Sequence, residues 1–212
     1  VFCKGYGLRA NGRPDSVDAH TVFRIGSLSK GFASVLSAVL VKDGDLAWDD
    51  PITCHYPHFA LQDTEQTQRV TITHLLSHSS GLPYHTFTNM IEAGYDINTI
   101  VDYFKRVKLC GKEGEIYCYQ NAAYSAIEEV MCGATDHAYQ DLLEAKLFKA
   151  IGMARASCTY EALMAEPNKA YPHNQTGMGW LSTDISDKYY QTAAAGGVNA
   201  SAADMAQWLL LL

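Results

Sequence analysis

Phe23-Arg24-Ile25-Gly26-Ser27-Leu28-Ser29-Lys30 is the stretch on which the reading of this chain turns. It joins a β-forming run, Thr21-Val22-Phe23-Arg24-Ile25, to a segment with Phe32, Val35, Leu36, Val39 and Leu40 at helical spacing. A strand should therefore end at Gly26 and a helix should begin at Ser27, stopping at Asp43-Gly44, where glycine can turn left-handed. Residues i and i+3 share a helix face, so the Lys30 amine should lie beside the Ser27 hydroxyl. A serine hydroxyl is a weak nucleophile until a base takes its proton. Lysine titrates near ~10.4, so it serves as that base only when burial or a nearby cation lowers the value. The exposed N–H groups at a helix start favour a negative oxygen, and the Ser27 N–H is the natural oxyanion donor. Ser29 is a competing hydroxyl, but Lys30 is its immediate neighbour and points elsewhere. Ser-x-x-Lys alone is a loose pattern that a capped, solvated helix start would also produce.

Some 90 residues on stands Tyr119-Gln120-Asn121. On extended backbone, i and i+2 point to one side, so Tyr119 and Asn121 can face one pocket. A phenol there could shuttle protons, and the amide could bind a substrate amide or hold Lys30. The plainer alternative is a strand with one buried tyrosine, as Tyr117 and Tyr124 would be. His74 and His78 are four apart, a spacing compatible with zinc, but no glutamate follows His74 and no third ligand is evident, so a structural role is expected. His55, His58, His85, His137 and His173 are scattered, with no obvious Asp partner. Gly196-Gly197 reads as a close backbone approach, not a phosphate loop.

The chain has 212 residues, 48% hydrophobic and 18% charged, with a formal net charge of -7. That suffices for a sizeable core. The absence of clustered Lys and Arg argues against nucleic acid and against an electrostatic hold on anionic lipid. No apolar stretch reaches the ~18–20 residues of a membrane span. Six cysteines form no CxxC pair. Cys110 and Cys118 flank the Tyr-Gln-Asn region; they are either a disulfide of an oxidising compartment or buried free thiols, and spacing does not decide.

Outward from the motifs, Val1–Gly7 reads as a strand and Asn11-Gly12-Arg13-Pro14 as a turn. Helices are expected from about 71 to 76, ending at Ser79-Ser80-Gly81-Leu82-Pro83, and over 98–107, 122–132 and 137–150, closing at Gly152. Residues 155–195 are poorly patterned. Ser201-Ala202-Ala203-Asp204 reads as a capping box opening a helix whose Met205, Trp208, Leu209 and Leu212 share a face. Strands, then helices, then mixed structure define an α+β protein with a helical middle. The start at Val1 and the run of leucines at the end read as the edges of an internal segment of a longer protein.

These motifs carry a resemblance. Residues 23–30 resemble the nucleophile segment of class C β-lactamases and their penicillin-binding relatives. Ile72-Thr73-His74-Leu75-Leu76-Ser77-His78-Ser79-Ser80-Gly81-Leu82-Pro83 is similar to that family's helix-and-turn signature, and Tyr119-Gln120-Asn121 to its Tyr-x-Asn motif. Residues 147–153 and 195–205 resemble two further family segments, all in family order. The resemblance implies an antiparallel sheet flanked by helices, with a mostly helical domain and the site between them. It places 1–45 in the α/β domain, 46–182 in the helical one and 183–212 back in the first. It implies Ser27 as nucleophile, Lys30 and Tyr119 as the acid–base pair in either order, and Asn121 as a substrate or lysine contact. No metal or cofactor is implied. The substrate would be a small molecule, a β-lactam or a D-Ala-D-Ala-like peptide, met in the periplasm or outside a bacterial cell; no oligomeric state is implied. A serine β-lactamase is the leading expectation. A D,D-peptidase, an esterase or D-amino-acid amidase, and an inactive binding protein are the alternatives. The family's third motif, a Lys/His-Thr/Ser-Gly strand, would follow residue 212.

Overall fold

The computed structural model describes residues 2–177 and 179–212. Strand β1 (Val22–Arg24) leads through a 3-10 turn at Gly26–Leu28 into α1 (Ser29–Asp43). Seven helices follow: α2 (Ile52–His55), α3 (Thr64–Arg69), α4 (Ile72–Leu76), α5 (Thr88–Ala93), α6 (Ile97–Phe104), α7 (Ala122–Thr135) and α8 (Tyr139–Leu143), the last widening into a π-turn at Glu144–Phe148. After α9 (Tyr160–Ala165) come a hairpin, β2 (His173–Thr176) and β3 (Gly179–Ser182), a 3-10 stretch at Lys188–Thr192, the single turn α10 (Ala193–Gly196), β4 (Asn199–Ser201) and α11 (Ala202–Leu211). The fold is the mixed α+β class expected, with helices filling the middle of the chain.

β1 pairs antiparallel with β4, Phe23 opposite Ala200, so strands nearly 180 residues apart lie side by side. The remaining strands form only the β2–β3 hairpin. This pairing sets the nucleophile turn, which leaves β1, against the 193–198 segment, which enters β4.

The local signals explain most helix ends. Gly44, at φ 88°, caps α1 and donates to Leu40 O, the left-handed stop that glycine adopts without strain. Thr71 and His74 form a reciprocal capping box on α4, and Ser201 and Asp204 form the one foreseen on α11. Phe32, Leu36 and Leu40 of α1 are fully buried in one core that also holds Ile72, Ile127, Val130 and Phe148. Trp208 closes it from α11, stacked on Phe32 at 4.0 Å between ring centroids.

Several expectations do not hold. Residues 2–7 form no strand: Phe2 and Tyr6 are exposed, and only the bridge Leu8–Ser16 flanks the turn at 11–13. A strand needs a ladder partner for its backbone groups, and among the described residues a single backbone bond, Val17 N–H to Gly7 O at 3.0 Å, joins this segment to a neighbour. Val1 lies outside the described residues. Leu209 and Leu212 are 69% and 75% exposed, because among the described residues no element covers that side of α11. The unpatterned region at 155–195 contains α9 and the hairpin, both too short for periodicity to reveal.

Gly133 in α7 packs where a Cβ would fall on the His55 carbonyl. Gly→Ala in a helix normally gains about 1 kcal/mol. Here the backbone clash reverses the sign, and Gly133→Ala should lower stability by about 1–3 kcal/mol, read from urea unfolding.

Candidate active site

The site is assembled from three places in the chain. Ser27 sits exposed in the 3-10 turn, and Lys30, only 8% exposed, lies one turn on in α1. Tyr119 and Asn121 arrive on the segment that leads into α7, with Asn121 as its first flanking residue. Ala195 arrives on α10.

Lys30 Nζ lies 3.2 Å from Ser27 Oγ, 2.8 Å from Asn121 Oδ1 and 2.9 Å from the Ala195 carbonyl. Tyr119 O–H donates to Ser27 Oγ at 2.7 Å. All four residues singled out in the sequence therefore meet in one hydrogen-bonded cluster. Burial pushes the Lys30 pKa down, opposed by its hydrogen bond and charge interaction with Tyr119. A neutral amine has two N–H donors and one lone pair. With Asn121 Oδ1 and Ala195 O taking the two donors, the lone pair faces Ser27 O–H, the geometry of a base. With Oδ1 given to Lys30, the NH₂ of Asn121 is the part left for a substrate carbonyl.

Ser27 and Asn121 border a cleft of ≈ 430 Å³, walled by Phe23, Tyr171, Ile185 and Tyr189. Three of these four walls come from the 155–195 region that showed no pattern. The competing hydroxyl, Ser29, is turned inward. Its Oγ donates to Gly26 O at 2.7 Å and accepts from Val198 N–H at 3.0 Å, tying the nucleophile turn to β4.

Sequence reasoning missed several supporting groups. Tyr124 is buried as anticipated, its hydroxyl donating to Lys30 O at 2.6 Å, whereas Tyr117 is 67% exposed. His78 takes a left-handed φ of 58°, accepts from Gln120 N–H at 3.2 Å through Nδ1 and lies 4.6 Å from the Tyr119 ring centroid. His74 is spent on the α4 cap. Both histidines thus have structural tasks. Two others do have carboxylate partners: His55 with Asp50 at 2.8 Å and His58 with Asp102 at 3.4 Å. The second pair spans 44 positions and is invisible without tertiary contacts. Gly197 is a close approach, since a Cβ there would meet Ala193 Cα at 2.8 Å. Cys110 and Cys118 are free thiols, sulfurs 3.6 Å apart, with Cys110 S–H donating to Gly81 O.

Burial, with the Lys30 charge second, pushes the His78 pKa from 6.5 down to about 4. The unfolded chain then binds this proton more readily than the folded one. The stabilising neutral state is fully present above pH 6.5 and is lost as pH falls toward 4, an effect of about 3 kcal/mol. His78→Asn, which tolerates the left-handed backbone, should unfold at lower denaturant at pH 7 yet lose less stability between pH 6.5 and 4. Chemical denaturation across that range reads both.

An α+β chain that gathers a serine, a lysine, a tyrosine and an asparagine beside an open cleft defines a class of serine-hydrolase-like scaffolds. Within that class the chain belongs to the Beta-lactamase family, whose model matches residues 1–212. It is 25% identical to the unguisins hydrolase ungD of Aspergillus violaceofuscus, covering 99% of this chain and 39% of that protein. It is 27% identical to the putative penicillin-binding protein PbpX of Bacillus subtilis, covering 97% of this chain and 50% of that protein. The fold is similar to that of an octameric penicillin-binding protein homologue from Pyrococcus abyssi, with a TM-score of 0.84 and 24% identity over 99% of this chain and 48% of that one. It is similar, too, to a class C beta lactamase from Rhodobacter sphaeroides, with a TM-score of 0.76 and 22% identity over 97% and 55%. The chain thus spans half or less of the length of these two curated relatives.

Proposed function

We propose that this chain carries the nucleophile half of a serine hydrolase that opens β-lactam amide bonds through an acyl-enzyme. The observation that carries the reading is Ser27 Oγ held between Lys30 Nζ and Tyr119 O–H at the edge of the cleft. In this mechanism Ser27 Oγ attacks the lactam carbonyl as its proton passes to Lys30 or Tyr119. Lys30 takes it directly in the neutral-amine form, or relays it with Tyr119. The collapsing tetrahedral oxygen is stabilised by the Ser27 N–H and by a second donor, which we place on a strand beyond residue 212. The same pair then returns the proton to the leaving nitrogen, and Asn121 N–H holds the substrate amide. Water later attacks the ester.

Proteins named for penicillin binding and for unguisin hydrolysis lie among the relatives, so a D,D-peptidase or another amide or ester hydrolase is the second reading. All share the acylation step and part at deacylation. A periplasmic or secreted location accords with such substrates. The test is intact mass of the full-length protein mixed with a penicillin, followed in time beside antibiotic loss, with Ser27→Ala as control. A short-lived Ser27 adduct with rapid antibiotic loss is the expected result. An adduct lasting hours would replace lactamase with penicillin-binding peptidase, and neither adduct nor loss would exclude both.

A further inference from the structure

We propose that Glu128 is a positioning residue for Lys30, acting through the backbone of α10. Glu128 lies two turns into α7, the helix that Asn121 precedes. Its Oε1 accepts from Ala194 N–H at 2.8 Å, and the next residue, Ala195, presents its carbonyl to Lys30 Nζ at 2.9 Å. Both acceptors that orient the amine are therefore held from α7, Asn121 Oδ1 directly and Ala195 O through Glu128.

The turn depends on outside support. It spans only Ala193–Gly196, too short to be stable alone. Its residues are alanines and a glycine, fully buried, with no side chain able to hydrogen-bond. The fixings come from neighbours: Glu128 on Ala194 N–H, Ser29 Oγ on Val198 N–H at 3.0 Å, and a long bond from Ser125 Oγ to Thr192 O. Glu128 borders a different cavity, ≈ 250 Å³, shared with Asp96, Glu129 and Tyr139, so it does not touch what enters the Ser27 cleft. Its carboxyl oxygen instead sets where Ala195 O stands. If that carbonyl drifts, one amine N–H is released and the lone pair no longer keeps its aim at Ser27. A loss of alignment near 1 Å costs up to about 10²-fold in rate.

The inference rests on Ser27 and Lys30 performing acyl transfer, and the experiment separates the two. Full-length protein is mixed with p-nitrophenyl acetate, and the burst is resolved into an initial dissociation constant and an acylation rate. In Glu128→Leu the acylation rate should fall roughly ten- to a hundredfold with the dissociation constant unchanged. Glu128→Gln, whose amide oxygen still accepts from Ala194 N–H, should stay within about twofold of the parent. Glu128→Asp keeps the carboxyl group but withdraws the acceptor by one methylene; it should be slow, and it stands in if the leucine variant does not fold. Leucine and aspartate variants as fast as the parent, or a glutamine variant as slow as them, would overturn the positioning role alone. A parent protein with no burst that depends on Ser27 would overturn the acyl-serine reading and this inference with it.

Discussion

Ser27→Ala is expected to cut turnover of any accepted substrate by about 10⁴-fold or more while leaving the fold intact. The loss is large because acyl transfer has no other hydroxyl to use. Ser29, two residues on, is buried and engaged with Gly26 O and Val198 N–H, and Tyr119 already points its hydroxyl at the vacated place. The fold should survive because Ser27 is exposed and packs against little. Removing Oγ leaves Tyr119 O–H without its acceptor and the Lys30 amine without its Ser27 partner, but at the edge of an open cleft. A stability change within about 0.5 kcal/mol is expected. Single-turnover kinetics and thermal melts on the full-length protein read the two effects separately. A variant that kept a tenth of the activity would end the nucleophile assignment.

The second large effect is expected at Lys30. Lys30→Arg keeps a positive charge and donors for Asn121 Oδ1 and Ala195 O, but guanidinium does not deprotonate. If Lys30 takes the Ser27 proton, the acylation rate should fall by about 10²–10⁴-fold, the range of a lost general base. The pH profile carries the sign. Burial lowers the Lys30 pKa from its usual value, so the parent rate should climb with pH as Lys30 loses its proton and level off above that lowered value. Lys30→Arg should lack this limb. His78, pushed down to about 4, is neutral through the same range and adds no limb of its own. An arginine variant with full activity and an unchanged profile would remove Lys30 from proton transfer in both the direct and the relayed form.

The strand-to-helix passage at Ser27, the α1 stop at Gly44, the capping box of Ser201 and Asp204 and the cluster of Ser27, Lys30, Tyr119 and Asn121 were legible in the sequence. Each depends on neighbours within a few positions or on a motif with its own spacing. The four site residues come from two short segments, and the single turn from Ser27 to Lys30 brings one pair of them together. Less local features were not legible. The Val1–Gly7 run has β-forming residues, but among the described residues 2–7 only Gly7 meets a backbone partner, Val17, so β propensity had too little to pair with. The last leucines have helical spacing, but among the described residues no element covers them. Of the cleft walls, Tyr171 and Ile185 lie on irregular backbone and Tyr189 on the 3-10 stretch Lys188–Thr192, where hydrophobic period carries no information.

By itself the sequence determined which side chains could do chemistry, where α1 and α4 stop and α11 starts, and that the chain folds with a sizeable core. Tertiary structure alone decided that an alanine carbonyl, 165 residues from Lys30, would be one of its three partners. It also decided that Ser29 would face inward and that Glu128 would hold α10. The physical reason is that backbone carbonyls and N–H groups are the same at every position. Which of them reaches a given side chain depends on the β1–β4 pairing and on α10 packing between α1 and α7, and no residue near Lys30 in the chain encodes that.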